Sequence, residues 1–433
     1  MSSVPMALRD QVPAAEGAGL HWVSGRRKWV LLVSMGTVFF TLLTLYASVL
    51  GVLLPNQIQN LDPVGKAQTL GVIYAITSVF STLTTPIAGA LSDRTRSRFG
   101  RRTPWIIVGG TIGGTAIILT PHAPGLVGIT AIWLVAVVSL NAMQPAITTL
   151  VADRFSPTER GLASGVVGGA MTAGVSFGTF FAGTLADRIQ LAYGVVGAAI
   201  IVACLAFVAI NPEPRVALSA APPFRLGAFL KGFWISPREH PDFAWAFAGR
   251  FAIYMGYQAI LTYLLYILQD HIGLSQSVAN ATIATMSIVT FVALVFSGLG
   301  SGVLSDRLGR RKPLVFIASL IMALAVAMPL FAPTPGGMMA YAVLIGLGYG
   351  AFMSVDLALM TQVLPKAREG EEDATGKDLG ILTTAINVPQ ILSPVMAAML
   401  LSLTGNSYPT LFIVSGLFVI AGSFLVLPIR SVR

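Results

Sequence analysis

Long apolar stretches separated by short polar connections run along most of the chain. An α-helix rises 1.5 Å per residue, so about 20 apolar residues are enough to cross the hydrocarbon core of a membrane. The short alternating segments typical of a membrane β-barrel are not found. The pattern therefore predicts twelve membrane-spanning helices, over residues 29–54, 67–91, 104–121, 125–152, 160–186, 190–210, 243–269, 277–304, 314–333, 337–364, 378–403 and 409–428.

A polar segment divides these twelve predicted spans into two groups of six. It covers residues 211–242 and contains six prolines but no spanning run. Within it apolar residues recur at helical spacing, which predicts either an interfacial helix or a plain flexible linker; these residues are Leu226, Phe229, Leu230 and Phe233. The expected organisation is a tail, a bundle, a linker, a second bundle and a short tail, over residues 1–28, 29–210, 211–242, 243–428 and 429–433.

The charge distribution predicts the orientation of the chain. Only 10% of the residues are charged, 55% are apolar, and the net charge is +9. If the amino terminus is cytoplasmic, 24 of the 27 Lys and Arg residues fall in cytoplasmic tails and loops. The positive-inside rule therefore predicts that both termini are cytoplasmic, and this placement argues against a nucleic-acid partner.

Cysteine and histidine provide no cofactor chemistry. Cys204 is the single cysteine, so no intrachain disulfide can form, and the four histidines are scattered without a partner at metal-ligand spacing. We therefore predict a protein without metal or cofactor that is not an enzyme.

One short motif occurs twice, at residues 89–94 and 302–307, with the pattern Gly-x-Leu-Ser-Asp-Arg. Each copy lies between the second and third predicted spans of its half, which indicates a parallel repeat about an axis normal to the membrane. The two loops, GALSDRTRSRFGRR and GVLSDRLGRRK, closely resemble the loop signature of the major facilitator superfamily. The resemblance covers essentially the whole chain and implies an all-α membrane protein with two pseudo-symmetric six-helix bundles.

A narrower resemblance concerns the substrate. The expanded loop SDRTRSRFGRRTPW, the segment VDLALMTQVLP and the stretch GKDLGI look like glycoside-cation symporters and the sucrose-proton symporters of plants. This resemblance implies transport of a glycoside or oligosaccharide.

The superfamily resemblance also implies a role for the repeated loops. Such aspartates cap a helix of the opposite bundle, where the positive helix end stabilises a carboxylate; here Asp93 would cap the eleventh span near Gly376, and Asp306 the fifth span near Arg160. The arginines would bridge to acids such as Asp153. The expected conformational latch comprises Asp93, Arg94, Arg101, Arg102, Asp153, Asp306, Arg307, Arg310 and Arg311.

Polar and aromatic side chains recur on single faces of several predicted spans. Hydroxyls and amides match the donors and acceptors of a sugar, and aromatic rings suit its C–H face. The alternative for the hydroxyl stripe, and for the amides, is helix packing; for Tyr263 and Tyr266 an interfacial belt is favoured. The candidate substrate-binding residues are Thr37, Thr41, Thr44, Asn141, Gln144, Tyr254, Tyr257, Gln258, Tyr349, Asn387 and Gln390.

Two opposite charges lie well inside predicted spans. Arg250 lies in the seventh span and Asp356 in the tenth, at similar depths from the same side. A charge inside a membrane is costly, so such a residue is first considered functional. We expect either a proton-coupling pair, in which protonated Asp356 releases Arg250, or a permanent structural bridge.

The fifth span contains glycines spaced like the glycine motif of superfamily antiporters: Gly165, Gly174, Gly178 and Gly183. Close helix packing is the alternative explanation. The sequence thus favours a monomeric plasma-membrane transporter that imports a glycoside or oligosaccharide with protons. The other hypothesis is a proton-antiport exporter of a drug-like or secondary metabolite.

Overall fold

The computed structural model describes residues 22–156, 158–213, 240–363 and 375–429. The candidate interfacial helix at residues 226–233 lies outside the described residues, as do the side chains of Asp306 and Asn387. The described chain is helical almost throughout. In chain order the helices are α1 Gly25–Leu61, α2 Lys66–Arg94, α3 Thr103–His122, α4 Gly125–Arg154, α5 Arg160–Thr184, α6 Ala186–Ile210, α7 Pro241–Thr262 with its continuation Leu264–His271, α8 Gln276–Leu308, α9 Lys312–Phe331, α10 Pro335–Val363, α11 Thr375–Leu403 and α12 Tyr408–Leu425.

Most of these helices are long and apolar enough to cross a membrane. Ten straight helices in the described chain meet this condition, and α7, which bends by 54° near Tyr263, makes an eleventh if counted as one span. In α11 the described apolar portion is Val388–Leu403. The exterior of the helices is apolar, since many large apolar side chains such as Phe296 and Phe331 are exposed. Such a surface is expected of helices that face lipid.

The two halves repeat one packing scheme. In the first half α1 packs on α5 and α6, α2 packs on α4, and α3 packs on α4 and α6. The second half repeats these pairs six helices later, with α7 on α11 and α12, α8 on α10, and α9 on α10 and α12. We call the halves the first and second bundles.

Glycine allows the closest of these contacts. A Cβ atom on Gly178 of α5 would collide with the backbone of Thr44 in α1. The Ser48 hydroxyl on the same face donates to the Gly178 carbonyl at 2.9 Å. Small residues let membrane helices approach until polar groups bond across the interface.

The bundles have two distinct ends. The arginine end carries residues 94–102 and 307–312, and the far end carries the connection between α1 and α2. The largest contacts between the bundles are made by α5 with α8 and by α2 with α11. At the far end Gly183 of α5 lies against the backbone of Asn280 in α8, so no larger side chain fits there.

Candidate functional site

An aromatic group lies between α7 and α10 of the second bundle. The rings of Tyr257 and Tyr349 stack with centroids 4.8 Å apart, and the Tyr254 ring meets Tyr349 edge-on at 6.2 Å. The Tyr254 hydroxyl lies 3.2 Å from that of Tyr349 and 2.9 Å from the Met353 sulfur. Helical spacing predicted each of these faces, and the tertiary fold turns them towards each other.

The two intramembrane charges meet beside this aromatic group. Arg250 Nε lies 3.2 Å from Asp356 Oδ2, and the two side chains are 4% and 5% exposed. These two atoms have no hydrogen bond to any described residue, so the contact is one of charge with charge. The Arg250 guanidinium also lies 6.0 Å from the centre of the Tyr254 ring. We call Arg250, Tyr254, Tyr257, Tyr349 and Asp356 the central cluster.

The central cluster is buried at intermediate depth. Arg250 lies nine residues from the start of α7 and Asp356 seven from the end of α10, which corresponds to about 10 to 14 Å from the arginine end. A charge at this depth is stable only with a partner, because lipid offers no solvation. Removing either charge would leave the other unpaired.

The first bundle contributes a smaller polar group from α1 and α4. The Asn141 amide donates to the Tyr46 hydroxyl at 3.1 Å and to the Val137 carbonyl at 2.8 Å. Tyr46 in turn meets Trp133 edge-on at 6.4 Å. Gln144, one turn further along α4, is half-buried. Tyr46 was missed in the sequence because a single tyrosine beside a threonine stripe carries no pattern of its own.

The threonine stripe of α1 divides between two environments. Thr37 is exposed and bonds to the carbonyl one turn earlier in its own helix, as half-buried Thr41 does. Thr44 is buried and donates across to the Gly174 carbonyl of α5 at 3.2 Å. In this conformation Thr44 therefore serves helix packing, and its role in substrate binding stays a prediction.

The other candidate binding residues are scattered. Gln258 is half-buried on α7, and Gln390 of α11 is exposed. Neither contacts the central cluster through a described hydrogen bond. Their roles in binding stay predictions.

A group of amides joins the bundles at the far end. Asn56 of α1 and Asn280 of α8 donate to each other's side-chain oxygens at 2.8 and 3.1 Å. Gln276 of α8 donates to the same Asn56 oxygen at 2.7 Å. Asn56 and Asn280 are 1% and 3% exposed, so these bonds are shielded from water.

A cross-bundle ion pair lies close to these amides. Lys66 Nζ of α2 is 2.7 Å from Asp270 Oδ1 of α7, and it lies 4.8 Å from the centre of the Tyr266 ring. The Tyr408 hydroxyl donates to the other Asp270 oxygen at 2.6 Å. We call Asn56, Lys66, Asp270, Gln276 and Asn280 the far cluster. Sequence reasoning missed it because polar residues near helix ends are normally solvated.

Two tyrosines reinforce the far end and correct an expectation. Tyr263 and Tyr266 are both completely buried, so the interpretation as an interfacial belt is wrong. The Tyr263 hydroxyl donates to the carbonyls of Ala67 and Pro394, and the Tyr266 hydroxyl to the carbonyl of Pro55. Both rings point inwards against the first bundle, beside the bend in α7. A residue of an interfacial belt would instead face the lipid headgroups.

The repeated loop of the first bundle forms a buried arginine cluster. Arg102, only 3% exposed, has Nη1 2.6 Å from Asp93 and 2.7 Å from the Ser92 hydroxyl. Its Nη2 lies 3.3 Å from Asp153, which also pairs with Arg101 at 3.1 Å. One guanidinium thus connects the ends of α2 and α4 at the start of α3.

These described bonds lie within the first bundle, whereas the predicted latch joins the two bundles. Arg102 reaches Asp93 because the two residues occupy adjoining helix ends. The Asp93 side chain is nevertheless 54% exposed. The predicted caps, from Asp93 to α11 near Gly376 and from Asp306 to α5, involve groups outside the described residues and stay predictions. Arg94, Arg307 and Arg310 are exposed at this end.

Glu213, just after α6, completes the arginine end. Its Oε2 accepts hydrogen bonds from the backbone N–H groups of Arg102 and Thr103 at 2.7 and 3.2 Å. These groups are unpaired donors at the start of α3, so a carboxylate there caps the helix. Gly100, with φ +104°, is required because any Cβ would collide with Glu213.

Another ion pair lies at the arginine end, where α1 and α5 begin. Lys28 Nζ is 2.8 Å from Glu159 Oε1. The hydrogen bond from Lys28 lowers the pKa of Glu159 below its ordinary value. This pair holds the start of α1 near the start of α5.

The glycines of α5 are explained mainly by packing. Gly174 and Gly178 lie against α1, and Gly183 lies against α8. A Cβ atom added at Gly165 would meet no atom within 4 Å. Three of the four glycines therefore have a structural reason that does not require antiport.

Several characterised or named proteins are similar to this chain. The multi-drug resistance efflux pump PmrA of Streptococcus pneumoniae is 25% identical over 333 residues, which cover 72% of this chain and 76% of the pump. The MFS transporter asaE of Aspergillus flavus is 28% identical over 184 residues, and the match covers 41% of this chain but only 39% of that relative. A stretch of 60 residues, 13% of the chain, is 47% identical to 11% of an uncharacterised symporter of Synechocystis.

The fold is shared with solved transporters. A bacterial homologue of the human lysosomal transporter Spinster, in an inward-facing and unoccupied conformation, superimposes with a TM-score of 0.68 at 16% identity over 94% of this chain and 96% of that one. The model of the Major Facilitator Superfamily matches residues 39–371 and 282–433. The chain therefore belongs to the major facilitator superfamily.

Proposed function

We propose that this chain is a secondary active transporter that imports a glycoside or oligosaccharide with protons. The observation that carries the proposal is the central cluster, where stacked tyrosines adjoin a buried ion pair. Stacked aromatic rings offer a flat apolar surface with polar edges, which suits a sugar ring. The short match to an uncharacterised symporter favours movement of substrate and ion together.

The proposed coupling uses Asp356 as the proton acceptor and Arg250 as its releasable partner. Protonation of Asp356 removes the attraction that holds Arg250, and the freed guanidinium can then bond substrate or Tyr254. Deprotonation restores the pair after release. Protonation of Asp356 leaves Arg250 without a counter-charge in the buried site, so its guanidinium then needs polar partners such as substrate hydroxyls.

The proposed transport cycle places the arginine end in the cytoplasm, with twelve spans, two cytoplasmic termini and a monomer in the plasma membrane. The far cluster would be the outer gate, closed in this conformation by bonds between the bundles. The exposure of Asp93 supports an arginine end that is open. Outward opening would break the far cluster, and Asp93 and Asp306 would then latch the opposite end.

A proton-antiport exporter of a drug-like metabolite is the second candidate. The similarity to PmrA over three quarters of its length favours it. Phe352 and Met353 also lie against Tyr254, which supplies an apolar and adaptable wall. An exporter would use the same ion pair but would exchange protons for substrate.

Charge movement in proteoliposomes under an inward proton gradient tests the proposal, with a panel of mono- and disaccharides as candidate substrates. We expect a sugar-evoked current that Asp356→Asn abolishes. Asp187→Asn, which changes an exposed carboxylate in the first turn of α6, is the control and should keep the current. A silent panel, together with proton-driven extrusion of apolar cations, would instead establish the exporter.

A further inference from the structure

A groove runs along the surface of the second bundle between α8 and α9, with α10 as its floor. It encloses about 390 Å³ and opens to the exterior, where Phe296 is 72% exposed and Ile317 is 53% exposed. Apart from two serines its walls are apolar or glycine: Phe296, Gly300, Leu304, Leu314, Ile317 and Leu347.

The two serines do not make the groove polar. The Ser297 hydroxyl donates to the Leu347 carbonyl of α10, and the Ser301 hydroxyl donates to the Gly298 carbonyl at 3.3 Å. Because both donors are satisfied within the protein, the groove suits an apolar occupant. A Cβ atom added at Gly300 would meet no atom within 4 Å, so a larger side chain there would project into open space.

The groove is about as long as one membrane leaflet. Its lining on α8 runs from Phe296 to Leu304, a rise of about 12 Å, and half of a hydrocarbon core is about 15 Å. Leu304 lies one turn before the end of α8 at Leu308, so the groove approaches the arginine end. An acyl chain is an occupant of matching length and chemistry.

Two cations stand at this end of the groove. Arg307 lies in the last turn of α8, Arg310 lies two residues beyond the end of that helix, and both are exposed. Neither forms an ion pair with any residue in the described part of the chain. Their neighbour Lys312 points elsewhere, since its ammonium donates to the carbonyls of Leu427 and Ile429.

The corresponding place in the first bundle is different. There Arg101, the counterpart of Arg310, pairs with Asp153 at 3.1 Å, and Arg102 is buried between Asp93 and Asp153. The loop is also four residues longer. Arg96 and Arg98 of that loop are exposed as well, but Arg307 and Arg310 are the exposed arginines beside the groove between α8 and α9.

We propose that this groove binds an acyl chain of an anionic phospholipid whose phosphate is held by Arg307 and Arg310. Basic groups between membrane helices recognise anionic headgroups, and each arginine near the surface contributes about 1 kcal/mol. Two arginines correspond to a preference of roughly 30-fold for an anionic over a zwitterionic headgroup. The site is distinct from the transport pathway, so it does not depend on which substrate is carried.

Native mass spectrometry of the purified full chain tests this, with phosphatidylglycerol and phosphatidylcholine of identical acyl chains as the probes. The wild-type protein should retain phosphatidylglycerol with a preference of about 30-fold. R307Q/R310Q should lose that preference. R96Q/R98Q changes two exposed arginines of the first-bundle loop and should retain it.

A second pair of variants tests the groove itself. Gly300→Leu fills it and should reduce retention of both lipids. Gly194→Leu on α6, also without a neighbour within 4 Å, should reduce neither. Equal retention of the two lipids by the wild type, or an equal loss in R96Q/R98Q, would overturn the proposal. So would a dimer in lipid-free detergent that Gly300→Leu dissociates, because the occupant would then be a second copy of the chain.

Discussion

Replacing Asn56 with alanine is expected to open the far end. The substitution removes three hydrogen bonds between the bundles, two shared with Asn280 and one from Gln276. Side-chain hydrogen bonds between membrane helices contribute on average about 0.6 kcal/mol each. The loss of about 2 kcal/mol should raise the ratio of far-open to far-closed molecules roughly 30-fold.

Distances between spin labels at Val64 and Leu403 measure this change. The two sites are on opposite bundles at the far end and are 88% and 74% exposed, so labels there disturb little packing. Asn56→Ala should add or enlarge a long-distance population. Gln68→Ala, which removes one exposed cross-bundle bond of 3.3 Å, is the control. An unchanged distribution in folded Asn56→Ala, or an equal shift in Gln68→Ala, would refute the assignment of the gate.

Three further predictions concern stability and are measured by thermal unfolding in detergent. Gly178→Ala should lower the free energy of unfolding by about 1 to 3 kcal/mol because its Cβ would collide with α1. Gly165→Ala should leave the stability unchanged or raise it slightly. A similar loss of stability in both variants would contradict the packing role of Gly178. Glu213→Ala should cost about 1 to 2 kcal/mol through the lost helix cap, and an unchanged melting temperature would exclude that cap. Because the pKa of Glu159 is lowered, its pair with Lys28 stabilises the fold above the ordinary pKa of 4.5, and this stabilisation is lost as pH falls through the lowered pKa. Lys28→Met should therefore reduce the loss of stability in acid. The same dependence of melting temperature on pH in the variant and the wild type would contradict this role of the pair.

The faces of single helices were predictable, and so were several partners. The spacing of Arg250, Tyr254 and Tyr257 placed them on one side of α7, because helical periodicity depends only on local geometry. The matching depth of Asp356 suggested its partner. The stacking of Tyr257 on Tyr349 required the packing of α7 on α10, which no local pattern encodes.

The threonine stripe shows the limit of this reasoning. Thr37, Thr41 and Thr44 share a face in the sequence, yet only Thr44 bonds to α5. A hydroxyl has the same spacing whether it lines a cavity or bonds to a neighbouring helix. The interfacial belt predicted for Tyr263 and Tyr266 was wrong for a related reason. The bend in α7 lies at these residues, and their side chains point into the protein, which helical spacing alone does not reveal.

The sequence by itself determined the membrane class, the bounds of most helices and the twofold repeat, because hydrophobic runs and a duplicated motif are local properties. Only the tertiary structure decided which bundle each bond joins. Arg102 was predicted to serve a latch between the bundles, and it binds Asp93 and Asp153 within one. Lys66 and Asp270, 204 residues apart, pair because the bundles close at the far end. Such long-range pairs depend on how rigid helices dock, which the spacing along the chain does not record.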